Sequence, residues 1–148
     1  MKKEIKLYNV LFPLMLLLFP QVWLIVLSGN FIIDSLVLLV SMYLLKIKDK
    51  KIFYKSNILK IFGFGMLSDI LGSAYMLLMM VRVQIGGMGD DLYLTLPALV
   101  ISAALIFVFN YFITLRKYDI KMRLKLALTF AVITAPYTFL IPSSWLYG

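Results

Sequence analysis

The sequence LYLTLPALVISAALIFVFNYFITL, residues 92–115, contains 24 consecutive residues without a charged side chain. A run of at least about 18 apolar residues is typical of a helix that crosses a lipid bilayer. At 1.5 Å per residue such a helix is about 36 Å long, which exceeds the roughly 30 Å thickness of the hydrocarbon core. We therefore predict that residues 92–115 form a membrane-spanning helix.

The composition places the whole chain in the same class. Hydrophobic residues make up 63% of the 148 residues and charged residues 15%, with a mean hydropathy of +0.97. A soluble domain has about 45–50% apolar and about 25% charged residues. A soluble enzyme or binding domain could not keep this much apolar surface from water, so both classes are excluded.

Five apolar stretches predict the architecture, a single all-α membrane domain over residues 1–148 that forms a bundle of about five spans. The predicted spans are Leu7–Leu27, Phe31–Leu45, Ile58–Val81, Leu92–Leu115 and Leu124–Ile141. The first two flank Ser28-Gly29-Asn30, whose residue types favour a turn. We favour two full crossings for this pair, with a re-entrant hairpin as the alternative.

The positions of lysine and arginine predict the orientation. If the five spans alternate, fourteen of the fifteen basic residues lie on one side of the membrane and only Arg82 lies on the other. The positive-inside rule assigns the basic side to the cytoplasm. We therefore expect a multi-pass protein of the plasma (inner) membrane with its N-terminus inside and its C-terminus outside. Orientation and attraction to anionic lipid then explain the net charge of +8, and we predict no nucleic-acid binding.

The chain contains neither cysteine nor histidine. Disulfides, thiolate catalysis, Fe–S clusters and metal sites built on these side chains are therefore excluded, and so is the commonest general base. We predict no catalytic residue, no metal site, no cofactor and no enzymatic activity.

Residues 58–81 carry the most informative polar pattern. Gly65, Ser68, Asp69 and Gly72 follow i, i+3, i+4, i+7 spacing, which places them on one face of a helix. Gly65 and Gly72 are candidate packing positions, because small residues let another helix approach closely. Asp69 is expected near the middle of the bilayer, where a charge costs at least about 2.5–3.5 kcal/mol. We interpret this carboxyl group as an ion-responsive coupling site, with a neutral interhelical hydrogen bond as the alternative.

Three further polar residues join Asp69 as candidate coupling or polar-site residues. Ser68 is its neighbour, and Asp34 is predicted near the outer end of its span, where it would cap or hydrate the turn. Asn110 could pair with either acid or serve only as a polar contact between helices. On the last span, small residues recur at four-residue spacing and predict a helix-packing seam, formed by Ala127, Ala131 and Ala135.

The predicted loop between the third and fourth spans contains Gly87-Met88-Gly89-Asp90. This GxGD sequence resembles the motif that carries one catalytic aspartate in prepilin peptidases and presenilin-type intramembrane proteases. Asp49 with Asn57 resembles the upstream aspartate region of the prepilin enzymes. The resemblance implies an aspartyl protease, whose two aspartates must share one site. Because one crossing separates Asp49 from Asp90, we interpret residues 87–90 as a turn and keep the protease as a remote alternative.

Residues 63–69, Gly-Phe-Gly-Met-Leu-Ser-Asp, are similar to a Gly-Phe-x-x-Gly-Leu-Leu-x-Asp pattern of the MreD family of rod-shape scaffolds. This resemblance implies a non-catalytic scaffold or subunit of a cell-envelope complex. The intramembrane aspartate instead favours movement of a small solute or cation, which is our leading hypothesis. Five helices leave little room for an internal pathway, so we expect a homo-oligomer or a partner membrane subunit.

The predicted orientation can be tested by cysteine accessibility, because the native chain has no cysteine. In sealed cells, a membrane-impermeant thiol reagent should label Met88→Cys and Ser144→Cys but not Ser56→Cys, since only the first two positions are predicted to face outward. Labelling of Ser56→Cys in intact cells would contradict the orientation.

Overall fold

A computed structural model describes residues 20–86 and 91–135, and all the secondary structure in these residues is helical. The helices are α1 (Pro20–Leu44), α2 (Lys50–Gly86), α3 (Asp91–Phe109) and α4 (Ile120–Ile133). A π-helical segment, Asn110–Thr114, continues α3 directly. Residues 45–49 connect α1 to α2, and residues 115–119 connect the π-helical segment to α4. The prediction of an all-α fold is confirmed for the described residues.

Three stretches of these helices are long and apolar enough to cross a membrane: Leu24–Leu44, Lys50–Met79 and Thr95–Thr114. Their outer surfaces agree with this, since Leu24, Ile25, Leu59 and Val100 are each more than half exposed. The interior contains a hydrophobic core and, within it, an unusual number of polar side chains. The buried polar residues are Asp34, Ser41, Asn57, Ser68, Thr95, Ser102, Asn110 and Thr114. Apolar side chains outside and polar ones inside are expected where the surrounding solvent is lipid.

Residues 20–44 form one continuous helix, so the predicted turn at residues 28–30 is wrong. Nothing lies within 4 Å of the place where a Cβ would stand at Gly29, so no close contact requires this glycine. In apolar surroundings a turn would leave backbone N–H and C=O groups without partners. Backbone hydrogen bonding therefore outweighs the turn preference of Ser, Gly and Asn.

The continuity of α1 changes how the first predicted spans are read. Of the predicted span Phe31–Leu45, residues 31–44 are the second half of α1 and form neither a separate span nor one arm of a hairpin, and Leu45 begins the loop. Residues 7–19 lie outside the described residues. α4 has 14 residues and ends at Ile133. Thr134 and Ala135 are not helical, so the predicted span Leu124–Ile141 does not continue through them as a helix. Residues 136–141 lie outside the described residues. The count of five spans and the orientation remain predictions.

The loop after α1 closes in a Schellman motif. The Ile47 N–H donates to the Met42 carbonyl at 3.1 Å, and the Lys46 N–H donates to the Tyr43 carbonyl at 3.3 Å. Lys46 has a φ of 53°, the left-handed conformation that this motif requires. The motif reverses the chain within five residues, so that α2 can run back along α1.

Neighbouring helices pack antiparallel. Phe31 and Phe62 meet edge to face with ring centroids 5.5 Å apart, and the Ser35 and Tyr54 hydroxyl groups are hydrogen-bonded at 2.9 Å. Residue numbers therefore rise along α1 in the direction in which they fall along α2. The same holds for α2 and α3, which form the most extensively packed pair of the described helices.

Both described loops lie at one end of the bundle. Phe53, near the start of α2, packs against Tyr118 of the second loop with ring centroids 4.7 Å apart. We call this end the basic-loop face because its loops and adjoining helical turns carry basic residues. These are Lys46, Lys48, Lys50, Lys51, Lys55, Lys60, Arg116, Lys117, Lys121, Arg123 and Lys125. Among the described basic residues only Arg82 lies elsewhere, near the other end of α2.

Two substitutions at Gly29 test the continuity of α1. Alanine should stabilise the protein by up to about 1 kcal/mol, because glycine is a poorer helix former and the position has open space. Proline should destabilise it by about 3 kcal/mol or more through loss of a helical hydrogen bond. The free energy of unfolding in detergent measures both effects, and a destabilised Gly29→Ala protein would indicate a turn at this position.

Candidate functional site

A hydrogen bond between a partly buried and a fully buried side chain joins α2 to α3. The Ser102 hydroxyl donates to Oδ1 of Asp69 at 2.8 Å, and Ser102 is completely buried. The suggested pairing of Asp69 with Asn110 does not form. Asn110 follows Ser102 by eight residues, about 12 Å along the helix, and therefore lies too far toward the basic-loop face.

Asp34 lies at the midpoint of the stretch Leu24–Leu44 and is buried, so its predicted place near the outer end of a span is wrong. Its Oδ2 atom lies 3.6 Å from the place where a Cβ would stand at Gly65. The absence of a side chain at Gly65 thus leaves room for the Asp34 carboxyl group against α2. This correction has the same cause as the continuity of α1, since the helix carries Asp34 away from any turn.

The Asp34 and Asp69 carboxyl groups lie near each other inside the bundle. Gly65 precedes Asp69 by one helical turn on the same face of α2, where neighbouring Cβ positions are about 5–6 Å apart. Because Asp34 lies against Gly65, its carboxyl group is about one helical turn from the position of Asp69 on α2. Among the described residues, neither group forms an ion pair with lysine or arginine. We call Asp34, Gly65, Asp69 and Ser102 the carboxyl cluster.

Ser68 and Gly72 are buried on α2 beside the carboxyl cluster. The Ser68 hydroxyl donates to the Phe64 carbonyl of its own helix at 2.7 Å, so its hydrogen bond does not extend to Asp69. Together with Gly65, both residues keep the interior side of α2 narrow, which lets neighbouring helices of the same chain approach closely.

Asn110 and Thr114 form a second group of buried polar side chains. They are 0% and 3% exposed. Neither amide atom of Asn110 nor the Thr114 hydroxyl has a hydrogen-bond partner among the described residues. Leaving a buried polar group unpartnered costs about 1–3 kcal/mol, so their presence in the core requires a reason.

The π-helical segment and its contact with Arg123 were not predicted from the sequence. The Leu115 N–H donates to the Asn110 carbonyl at 2.9 Å, an i→i+5 bond. Arg123 donates from Nε and Nη2 to the Tyr111 carbonyl at 3.1 and 2.9 Å, and its guanidinium lies 4.3 Å from the centre of the Tyr111 ring. Arg123 therefore stabilises the end of this helix in addition to any part in orientation. Helical segments of this kind are frequent at functional sites.

Asn57 also has a structural part that its sequence context did not reveal. Its Nδ2 atom donates to the Phe53 carbonyl at 2.8 Å and to the Tyr118 hydroxyl at 2.9 Å. These two hydrogen bonds hold the loop of residues 115–119 against α2 at the basic-loop face. The GxGD residues 87–90, to which Asn57 was related by the protease resemblance, lie outside the described residues.

The predicted small-residue seam is buried: Ala127 and Ala131 of α4, and Ala135 just after the end of α4, are each less than a tenth exposed. Beside them, an apolar cleft of about 600 Å³ separates α1 from α4. Its lining includes Val37, Val40, Leu44, Leu128, Ile133 and Lys125. The cleft does not include the carboxyl cluster, so it is a separate feature of the bundle surface.

No protein-family model, no curated protein and no protein of known structure matches this chain. Its function is therefore inferred from the carboxyl cluster and from the residues around it.

A double-mutant cycle should detect the hydrogen bond between Asp69 and Ser102. We expect Asp69→Ala and Ser102→Ala to be coupled by about 0.6–1.7 kcal/mol in the free energy of unfolding, the range for hydrogen bonds between membrane helices. The matched control pairs Asp69→Ala with Ser68→Ala and should show no coupling, because Ser68 bonds to its own helix. Equal coupling in both cycles would show that the Ser102 bond is not formed.

Proposed function

We propose that this chain is a multi-pass protein of the plasma (inner) membrane that moves a small solute or cation, with the carboxyl cluster as its ion- or proton-responsive coupling site. One observation carries the proposal: a buried carboxyl group of α1, Asp34, lies against Gly65 of α2, one helical turn from Asp69, whose partly buried carboxyl group is hydrogen-bonded to α3. No basic side chain among the described residues neutralises them.

The chemistry of two neighbouring carboxyl groups favours binding of a proton or a small cation. A single charge in the bilayer interior costs several kcal/mol, and two carboxylates that share a site do not readily ionise together. A shared proton would leave the pair with one negative charge. A second proton would neutralise that charge, and so would a monovalent cation held by oxygen atoms of Asp34, Asp69 and Ser102. Binding and release of that ion would then change the charge at the contact of three helices, as a coupling site requires.

The geometry also gives ion binding a way to affect the helices. Asp34 fills the space beside Gly65, and Asp69 holds Ser102 of α3. A change in the charge of either carboxyl group would alter the contacts between α1 and α2 or between α2 and α3. Transport by so small a bundle would also need a homo-oligomer or a partner membrane subunit.

We place the basic-loop face in the cytoplasm, in accordance with the positive-inside rule, and propose anionic lipid as a partner there. Lys125 lines the apolar cleft between α1 and α4. An anionic headgroup beside Lys125, with an acyl chain in the cleft, would match this distribution of charge and apolar surface. We propose no nucleic-acid partner.

A non-catalytic scaffold or subunit of a cell-envelope complex is the second candidate function. Gly63 favours it, because this glycine is exposed on α2 with nothing within 4 Å of its Cβ position. A helix of another chain could approach closely there. Gly65 and Gly72 face the interior of this chain instead, so bulky residues at those positions would test its own folding rather than its assembly.

The proposed coupling site predicts a specific effect of replacing its Asp69 carboxyl group with an amide. Asp69→Asn should fold normally, since the amide oxygen can still accept the Ser102 hydrogen bond, yet it should abolish ion-driven movement because an amide neither releases a proton nor holds a cation as a carboxylate does. The measurement is uptake of H⁺, Na⁺ and K⁺ by proteoliposomes under an imposed gradient. Asp34→Asn should behave in the same way.

The matched control is Asp49→Asn, which makes the same chemical change in an exposed loop and should leave uptake unchanged. A fully active Asp69→Asn protein would reject the coupling role. If, in addition, Gly63→Leu dissociated an oligomer or complex in mild detergent, the scaffold function would replace transport as the better account.

A further inference from the structure

Asn110 and Thr114 offer hydrogen-bonding groups that the proposed coupling chemistry does not use. Three of their atoms are buried without a partner among the described residues: Oδ1 and Nδ2 of Asn110 and Oγ1 of Thr114. The two residues are four apart in the π-helical segment, so their side chains lie close to each other on its buried side.

These side chains point into the same interior as Ser102. The fully or almost fully buried residues of α3 and its π-helical continuation recur every three or four positions and form one stripe. The stripe consists of Thr95, Ala98, Ser102, Ile106, Asn110 and Thr114. Asn110 is about 12 Å from Ser102 toward the basic-loop face, with Ile106 between them. Thr114 lies directly before the loop at that face.

The identity of the unpartnered atoms determines which ligand suits them. Oδ1 of Asn110 accepts hydrogen bonds, its Nδ2 donates them, and the Thr114 hydroxyl does both. A bare cation would satisfy the oxygens but not the amide N–H groups, and an anion would satisfy only the donors. Water both donates and accepts, and a buried water typically makes about three hydrogen bonds. Three atoms in this arrangement therefore match water.

We propose that Asn110 and Thr114 form a water-binding site inside the bundle that is reached from the basic-loop face. The site would bring water from that face to within about 12 Å of Ser102 in the carboxyl cluster, as the first part of a path for the coupling ion. This role in a path rests on the proposed function, whereas the water-binding site itself does not.

Cysteine accessibility tests the site without any measurement of transport. A thiol reacts as its thiolate, which forms far more readily in water than in a dry apolar core. Asn110→Cys should react with a small water-soluble methanethiosulfonate roughly tenfold or more faster than Ile106→Cys. Ile106 is the matched control, because it lies one turn away on the same stripe and is equally buried. In sealed vesicles the reaction should occur when the reagent is on the side of the basic-loop face.

Thr114→Cys is a second reporter of the same site. It should disturb folding little, because the side chains of threonine and cysteine are similar in size. It should react as fast as Asn110→Cys. Slow reaction of both variants, at the rate of Ile106→Cys, would overturn the water-binding site. Fast reaction together with a fully active Asp69→Asn protein would leave the water site standing and remove the coupling role. Slow reaction of the cysteine variants, together with an inactive Asp69→Asn protein, would remove the water-binding site and leave the coupling role standing.

Discussion

The Ser102 hydroxyl donates a hydrogen bond to the Asp69 carboxyl group. Lipid tails offer no such donor, so the protein itself must supply the hydrogen bond. This requirement shapes the centre of the bundle. The bond joins α2 to α3, and the absence of a side chain at Gly65 admits Asp34 of α1 to the same place. Three helices thus contribute to one polar cluster, and Leu38, Ile61 and Ile106 of the same three helices belong to the hydrophobic core.

Hydropathy was sufficient to predict the helices on which the cluster depends. Residues 58–81 lie within α2, and residues 92–114 lie within α3 and its π-helical continuation. A helix satisfies the backbone hydrogen bonds of such long apolar runs in lipid. The 3.6-residue period also placed Ser68 and Gly72 on the interior side of α2. The turn at residues 28–30 was wrong, because it relied on residue preferences that hold for water-exposed chain.

Features that depend on how helices face each other could not be read from single segments. The partner of Asp69 is set by the register between α2 and α3, and sequence reasoning chose Asn110 rather than Ser102. The π-helical segment and the contact of Arg123 with the Tyr111 carbonyl likewise arise from packing between distant residues. Asp34 was misplaced because one local error, the turn, moved it from the middle of a helix to an end.

Infrared difference spectroscopy follows the carboxyl cluster most directly. Protein in lipid vesicles would be exchanged between acid and alkaline buffer, and then between buffers with and without Na⁺ or K⁺. If Asp34 and Asp69 exchange a proton or cation with water, part of the carboxyl signal that changes in the wild type will be missing from the Asp34→Asn/Asp69→Asn variant. Identical difference spectra from the two proteins would show that the cluster is sealed from water and would contradict its role as a coupling site.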